Sequence, residues 1–317
     1  MSTPGKHSDT LWDRPRAEVE RALTEREPVR CPLCEREPEH FATDYQGFHL
    51  ARCPGCGLEF QSPRPPFAKL AEWVYAREYG DLADPAGELT PEKQARFGRQ
   101  LERIEALTGK RGALLDVGCG AGAFLRAAAA RGWRVAGTDI VLSEGARSTG
   151  ARLWPGRLGE IDFGGARFDA VRFHHVLEHT ENPLAELARA RALVAPGGAL
   201  YLSVPNLGGV SPRLKSWQSR LGLKRKRWRH YAALHHLWYF TPATLARLAE
   251  RAGFRVARWE TPLPFRPGRP AWLAGLYRWA LEGPRWGSIL DVYAAALDGY
   301  TPQKSSSGSS ASTPQSA

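Results

Sequence analysis

Three groups of residues in this chain have the types and spacing to do chemistry. The first is Leu115-Asp116-Val117-Gly118-Cys119-Gly120-Ala121-Gly122, where three alternating glycines follow a carboxylate. Glycine lets the backbone turn sharply and lets a ligand approach the main chain. A second carboxylate, Asp139, follows about 20 residues on, where an acid can take both ribose hydroxyls of a nucleoside. Gly118, Gly120 and Ala123 formally match the dinucleotide fingerprint G-x-G-x-x-G/A. Asp116 argues against that ligand, because a carboxylate beside the turn repels a pyrophosphate. It suits a ligand with an ammonium group and no phosphate, and S-adenosylmethionine, whose sulfonium adds a second positive charge, is one.

The second group is Cys31-Pro32-Leu33-Cys34 and Cys53-Pro54-Gly55-Cys56, separated by 18 residues. That is the spacing of a structural zinc site: each pair sits on a tight turn, and four thiolates close a tetrahedron with no open position for catalysis. Between the pairs, Phe41–Leu50 reads as a small hairpin. A module this small draws much of its stability from the metal. The third group is histidine-rich: His174-His175-Val176-Leu177-Glu178-His179 and His235-His236. An unperturbed imidazole titrates near neutrality and can serve as a general base.

The elements that must position these groups alternate between strand and helix. Ala113–Val117, Trp133–Thr138, a weakly marked strand near Ala151–Trp154, Phe168–Phe173 and Ala199–Val204 read as strands. Gly122–Arg131, Ser143–Thr149 and Leu184–Leu193 read as helices. This is the βαβ pattern of a doubly wound, mostly parallel sheet, whose ligands bind outside the carboxyl ends of the strands. Asp116, Asp139, His179 and Asn206 all fall at that edge. Thr90-Pro91-Glu92 starts a further helix ahead of the first strand, ended by Gly109.

Together these motifs resemble the class I S-adenosylmethionine-dependent methyltransferases, whose first motif commonly reads as Leu115–Gly122 does. Glu178-His179 with Asn182-Pro183, and Ala195–Asn206, resemble the same core. The zinc ribbon ahead of it, and His236-Leu237-Trp238-Tyr239-Phe240-Thr241-Pro242, resemble a group that modifies quinones, sugars and secondary metabolites. The resemblance covers roughly residues 29–260. It implies a Rossmann-like α/β fold with a small N-terminal zinc ribbon. The division is a polar segment 1–28, the ribbon 29–66, a helical linker and cofactor lid 67–108, the methyltransferase domain 109–260, an aromatic helical region 261–300 and a tail 301–317.

The resemblance further implies cofactor contacts at Asp116, Gly118, Cys119, Gly120 and Gly122, then at Asp139, Ile140, Leu158 and His174. Tyr75 or Tyr79 covers the cofactor. Related enzymes place an acid after the third strand to bond the adenine amine; Arg157 stands there in this chain, so that contact passes to main chain around Arg157–Leu158. His236 and His179 are the candidate bases, and Asn206, Trp228 and His235 the acceptor contacts. A metal at the histidines is disfavoured, because no carboxylate is close to His235-His236 in sequence. The insertion 207–233 carries Lys224-Arg225-Lys226-Arg227-Trp228-Arg229-His230 and is read as a lid that holds an anionic group of the acceptor.

The implied reaction is in-line transfer of a methyl group from S-adenosylmethionine to a small-molecule acceptor, a glycan or secondary metabolite, most often on oxygen. Two alternatives stay open. One is an RNA base methyltransferase whose ribbon binds RNA, in keeping with a net charge of +11. The other is a non-catalytic zinc-ribbon binding protein with a degenerate methyltransferase domain, for which Arg157 leaves room. The abundance of arginine over lysine is equally what a compositional bias produces. No apolar run approaches the length of a membrane span and the N-terminus shows no signal-peptide core, so the expected location is the cytoplasm. The aromatic face Trp272, Leu273, Leu276, Trp279 and Leu281 packs on the domain, forms a dimer contact or lies on a membrane surface.

Overall fold

A computed structural model describes residues 15–75, 89–262, 280 and 284–300. Each cysteine pair sits on a tight turn, closed by Glu35 N–H donating to the Cys31 carbonyl at 2.8 Å and Gly57 N–H to that of Cys53 at 2.9 Å. Strands β1 (Glu39–Thr43), β2 (His49–Arg52) and β3 (Glu59–Gln61) run antiparallel beside these turns. Phe67–Leu70 and Ala71–Tyr75 form a short helix with a widened second turn. Helix Pro91–Thr108 starts on Thr90, whose hydroxyl accepts from Lys93 N–H, and ends on Gly109 in the left-handed conformation.

The main sheet contains β4 (Ala113–Val117), β5 (Arg134–Asp139), β6 (Arg152–Pro155), β7 (Phe168–His174) and β8 (Val194–Pro205), all parallel. β10 (Phe254–Glu260) and β11 (Ile289–Ala296) complete it in the order β6-β5-β4-β7-β8-β11-β10, with β11 antiparallel to both neighbours. β11 lies in a stretch expected to be helical. Its residues Leu290, Val292 and Ala294 are buried with the core, and it slots between β8 and β10, which are far apart in sequence. The expected aromatic helix 272–281 falls almost wholly outside the described residues.

Strand alternation sends successive side chains to opposite faces. Leu114, Ala170, Tyr201 and Tyr293 pack with helices Pro91–Thr108 and Ala123–Ala130 on one face. Leu115, Val171, Phe173 and Leu202 pack on the other with helices Pro183–Leu193 and Pro242–Arg251. That second core is continuous with the ribbon through Leu50, Phe60, Leu237, Trp238 and Phe240. The physical link is β9 (Trp238–Tyr239), which pairs with β3 and makes the ribbon a four-stranded sheet. Arg247 and Arg251, one helical turn apart, donate to the Cys56 and Leu33 carbonyls at 3.4 Å each. The ribbon is thus built into the molecule rather than tethered to it. No helix among the described residues is long and apolar enough to cross a membrane.

Candidate active site

At the carboxyl edge of the parallel strands lies a cavity of about 440 Å³. Its floor is the turn after β4. Gly118 has φ +70°, and a Cβ there would stand 2.4 Å from Val176 Cγ2 across the cavity wall. Gly120 N–H donates to Asp139 Oδ2 at 2.8 Å, so the glycine turn and the end of β5 are locked together. Burial raises the Asp139 carboxyl and the amides of Gly120, Val141 and Ile140 oppose it. Val117, Gly118, Gly120, Asp139, Ile140, Leu158, His174 and Tyr75 line the cavity with His179 and His236. Sequence-selected residues from six separate segments therefore meet at one site. Tyr79 lies outside the described residues.

Several of the expected residues lie away from the cavity lining. Asp116 is buried and does not line the cavity; Arg172, its neighbour across β4 and β7, donates to its Oδ1 at 2.6 Å. The carboxylate that argued for a cationic ligand already faces a guanidinium. Burial still raises Asp116 to about 6 against the pull of Arg172. Cys119 sits behind the turn with its thiol against Gly137, and burial pushes that thiol up. Gly122 is the left-handed start of helix Ala123–Ala130, and a Cβ would meet Thr149 Cγ2 at 2.6 Å, so it serves packing.

The three expected acceptor contacts are also elsewhere. Asn206 donates to the Arg285 and Gly287 carbonyls at 2.9 and 2.7 Å and accepts from Gly208 N–H, clamping the end of β8 to the approach of β11. Trp228 is buried against Phe41 and Tyr231, and Arg227 O accepts from Tyr45 N–H at 3.1 Å. The insertion thus docks on the ribbon, and none of residues 207–233 lines the cavity. The side chain of His235 is fully buried, while its carbonyl accepts from Tyr75 OH at 2.9 Å and His179 Nδ1 at 2.8 Å.

That last bond fixes the His179 ring with Nδ1 as donor, leaving Nε2 as the acceptor. His179 stands edge-on to His236, with ring centroids 4.9 Å apart. Burial, and then His179, push His236 down to about 3; burial also lowers His179. His174 is driven well below its usual value by burial and by Arg172. Burial therefore favours the neutral, proton-accepting form of both rings. Beside them is Glu178, fully buried. Burial opposes its charge, but the hydrogen bond with His175 leads the contacts that bring its carboxyl below the ordinary value. Its Oε1 meets His175 Nδ1 at 3.2 Å, while Oε2 is buried and has no hydrogen-bond partner among the described residues.

The carboxylate that was missing from sequence beside His236 thus arrives from the β7 loop. One ligand atom each from Glu178, His179 and His236 lies within 4.8 Å of the others. The four ribbon cysteines satisfy the same distance, and Cys31 and Cys56 sulfurs are 3.5 Å apart. Arg172 and Glu178 went unassigned in sequence. An arginine inside the apolar run Phe168–Phe173 was the available signal, since a buried guanidinium requires an acid.

A family model described as a methyltransferase domain matches residues 91–258, more than half of the chain. The chain belongs to the methyltransferase family. As a class I methyltransferase it takes its methyl group from S-adenosylmethionine. Curated relatives agree: a ubiquinone biosynthesis O-methyltransferase of Dinoroseobacter shibae is 32% identical over 178 residues, covering 52% of this chain and 68% of the relative. The namesake from Thiobacillus denitrificans is 34% identical over 171 residues, covering 50% and 70%. Among solved structures, a Burkholderia thailandensis 1,6-didemethyltoxoflavin N1-methyltransferase with bound S-adenosylhomocysteine shares the fold at a TM-score of 0.52 and 21% identity, covering 82% of this chain and 100% of that one. The cavity at the carboxyl edge of this methyltransferase is the candidate cofactor and acceptor site.

Proposed function

We propose that this methyltransferase transfers a methyl group to a hydroxyl of a small-molecule acceptor. The observation that carries this reading is the pair His179 and His236, two neutral imidazoles in contact in the wall of the cavity that holds Gly118, Gly120 and Asp139. An acceptor hydroxyl must lose its proton as its oxygen attacks the methyl carbon. A neutral imidazole within reach takes that proton while the carbon–sulfur bond breaks and S-adenosylhomocysteine leaves. His236 is the proposed base and His179 orients it. Cofactor contacts are assigned to Gly118, Gly120, Asp139, Ile140, Leu158 and His174, with Tyr75 as the cover. The names of the curated relatives, O-methyltransferases of ubiquinone biosynthesis, support oxygen as the target.

Cys31, Cys34, Cys53 and Cys56 are proposed to hold one zinc ion in a closed structural site, which elemental analysis of the purified protein tests directly. The domain division follows: ribbon, linker and catalytic domain, with the catalytic sheet extended to Ala296 by β11.

The test uses labelled S-adenosylmethionine and a panel of catechols and phenols. His236→Ala is expected to retain S-adenosylhomocysteine binding and lose most turnover. Full turnover in that variant would overturn its role as base. A second reading of the proton step rests on the unpartnered Glu178 Oε2. A divalent cation held by Glu178, His179 and His236 would lower the pKa of a bound acceptor hydroxyl. Manganese titration calorimetry on the Glu178→Gln variant distinguishes the two.

A further inference from the structure

The end of the cavity beyond Asp139 has no side chain yet assigned to read the cofactor's base. The diol position at Asp139 lies on β5, and the next strand outward is β6, whose last residue Pro155 is in register with Asp139. A nucleoside with its ribose at Asp139 and its methyl near His236 therefore extends its base toward the loop after β6. Arg157, which stands where related enzymes carry an acid, is turned to other partners. Its guanidinium lies 4.5 Å over the Phe67 ring and pairs with Glu160 at 3.2 Å and with Glu181.

Helix Pro183–Leu193 crosses this loop. Arg189 donates to the Ile161 carbonyl at 2.7 Å and to that of Leu158 at 3.4 Å, which fixes the helix over the loop. Glu186 is three residues earlier, on the same helical face. It lines the cavity together with Ile140, Val141, Arg157 and Leu158. Its carboxyl group makes no hydrogen bond or ion pair among the described residues. The compartment thus offers apolar walls and one unengaged acid. We propose that Glu186 reads the adenine ring, accepting a hydrogen bond from the N6 amine and so replacing the acid that the loop after β6 lacks.

Adenine presents a donor at N6, which matches a carboxyl oxygen. Burial raises the Glu186 carboxyl to about 7, against the pull of Arg157 and with help from Glu160 and Glu181. Above that value the carboxylate offers acceptors alone, which match the N6 amine. An inosine base carries a carbonyl in place of the amine, which sets oxygen against oxygen. The inference rests on the methyltransferase reading, because it needs the cofactor in this cavity.

The experiment is calorimetric binding of S-adenosylhomocysteine and S-inosylhomocysteine to the full-length parent, Glu186→Gln and Glu186→Leu, with thermal melts of each. The parent is expected to prefer the adenosyl compound about tenfold or more, as one lost hydrogen bond to a buried acid implies. Glu186→Gln, whose amide can turn a donor toward the carbonyl, loses most of the preference. Glu186→Leu loses it, with the inosyl compound bound as well as by the parent. Equal binding of the two compounds by the parent, or an undiminished preference in Glu186→Leu, overturns the inference while leaving the methyltransferase reading intact. Failure of the parent to bind either compound overturns both. Should Glu186→Leu melt far below the parent, Glu186→Met carries the same comparison.

Discussion

The side-chain amide of Gln61, on a ribbon strand, donates to the main-chain carbonyl of His236 at 2.8 Å. It also donates to the Ala233 carbonyl, and Gln61 N–H donates to the Leu237 carbonyl at 3.0 Å. From the other side Leu237 N–H reaches the Glu178 carbonyl at 2.8 Å. The backbone that carries His236 is therefore clamped between the ribbon and the β7 loop.

Gln61 is fully buried, and Gln61→Leu leaves the Ala233 carbonyl without its side-chain donor and the His236 carbonyl with Tyr239 OH alone, at 2.9 Å. A cost of about 1–3 kcal/mol is expected, read by urea denaturation. The displaced His236 should lower kcat by about tenfold or more, since misplacement of a catalytic group is costly. S-adenosylhomocysteine affinity should stay within about twofold, a range small against one lost hydrogen bond. Equal loss of both would show that Gln61 acts on the fold alone.

Asp116 and Arg172 form a buried pair on adjacent strands, and Arg172 also lies 3.8 Å over the Phe124 ring. Removing one partner strands the other charge. Arg172→Met and Asp116→Asn should each destabilise by about 3–5 kcal/mol, and the double variant by much less than the sum. Additive losses in denaturant midpoints would show that the pair is not coupled.

His236 gives a pH dependence of known sign. The unfolded imidazole takes a proton near about 6.5, and the folded one only near about 3. Its contribution to stability is complete above the unfolded value and is lost as pH falls toward the folded one. The parent should thus lose stability relative to His236→Gln on acidification, by up to about 1.4 kcal/mol per pH unit between the two values. Paired urea titrations at pH 7 and 5 test it; a constant difference would mean that the ring takes up its proton alike in the folded and unfolded chain.

Trp228 packs on the ribbon rather than at the acceptor site. Trp228→Ala should cost about 3–5 kcal/mol of stability, with the acceptor KM unchanged below the melting range. A raised KM without destabilisation would return Trp228 to the acceptor site.

The turn Gly118–Gly120, Asp139 and the histidines were legible because each is a local device: a backbone conformation, a strand end, a titratable ring. Asp116 was legible as a motif residue, but its charge was misread, since the partner that meets it is 56 residues on in β7. Asn206 was placed at the acceptor by its position at the sheet edge, Trp228 by its place in the insertion read as a lid, and His235 by its segment's resemblance to the family. Each turned out to satisfy a neighbouring segment, which short-range spacing does not report.

The sequence by itself determined the doubly wound sheet, the two cysteine turns and the glycine floor of the cavity, because strand and helix periods, tight turns and caps are set by residues a few positions apart. Only the tertiary structure decided that β9 completes the ribbon sheet, that β11 enters between β8 and β10, that Glu178 joins His236, and that Glu186 lies over the loop after β6. Those are pairings between segments distant in sequence. They are selected by which buried hydrogen-bond groups and charges find partners when the chain closes on itself.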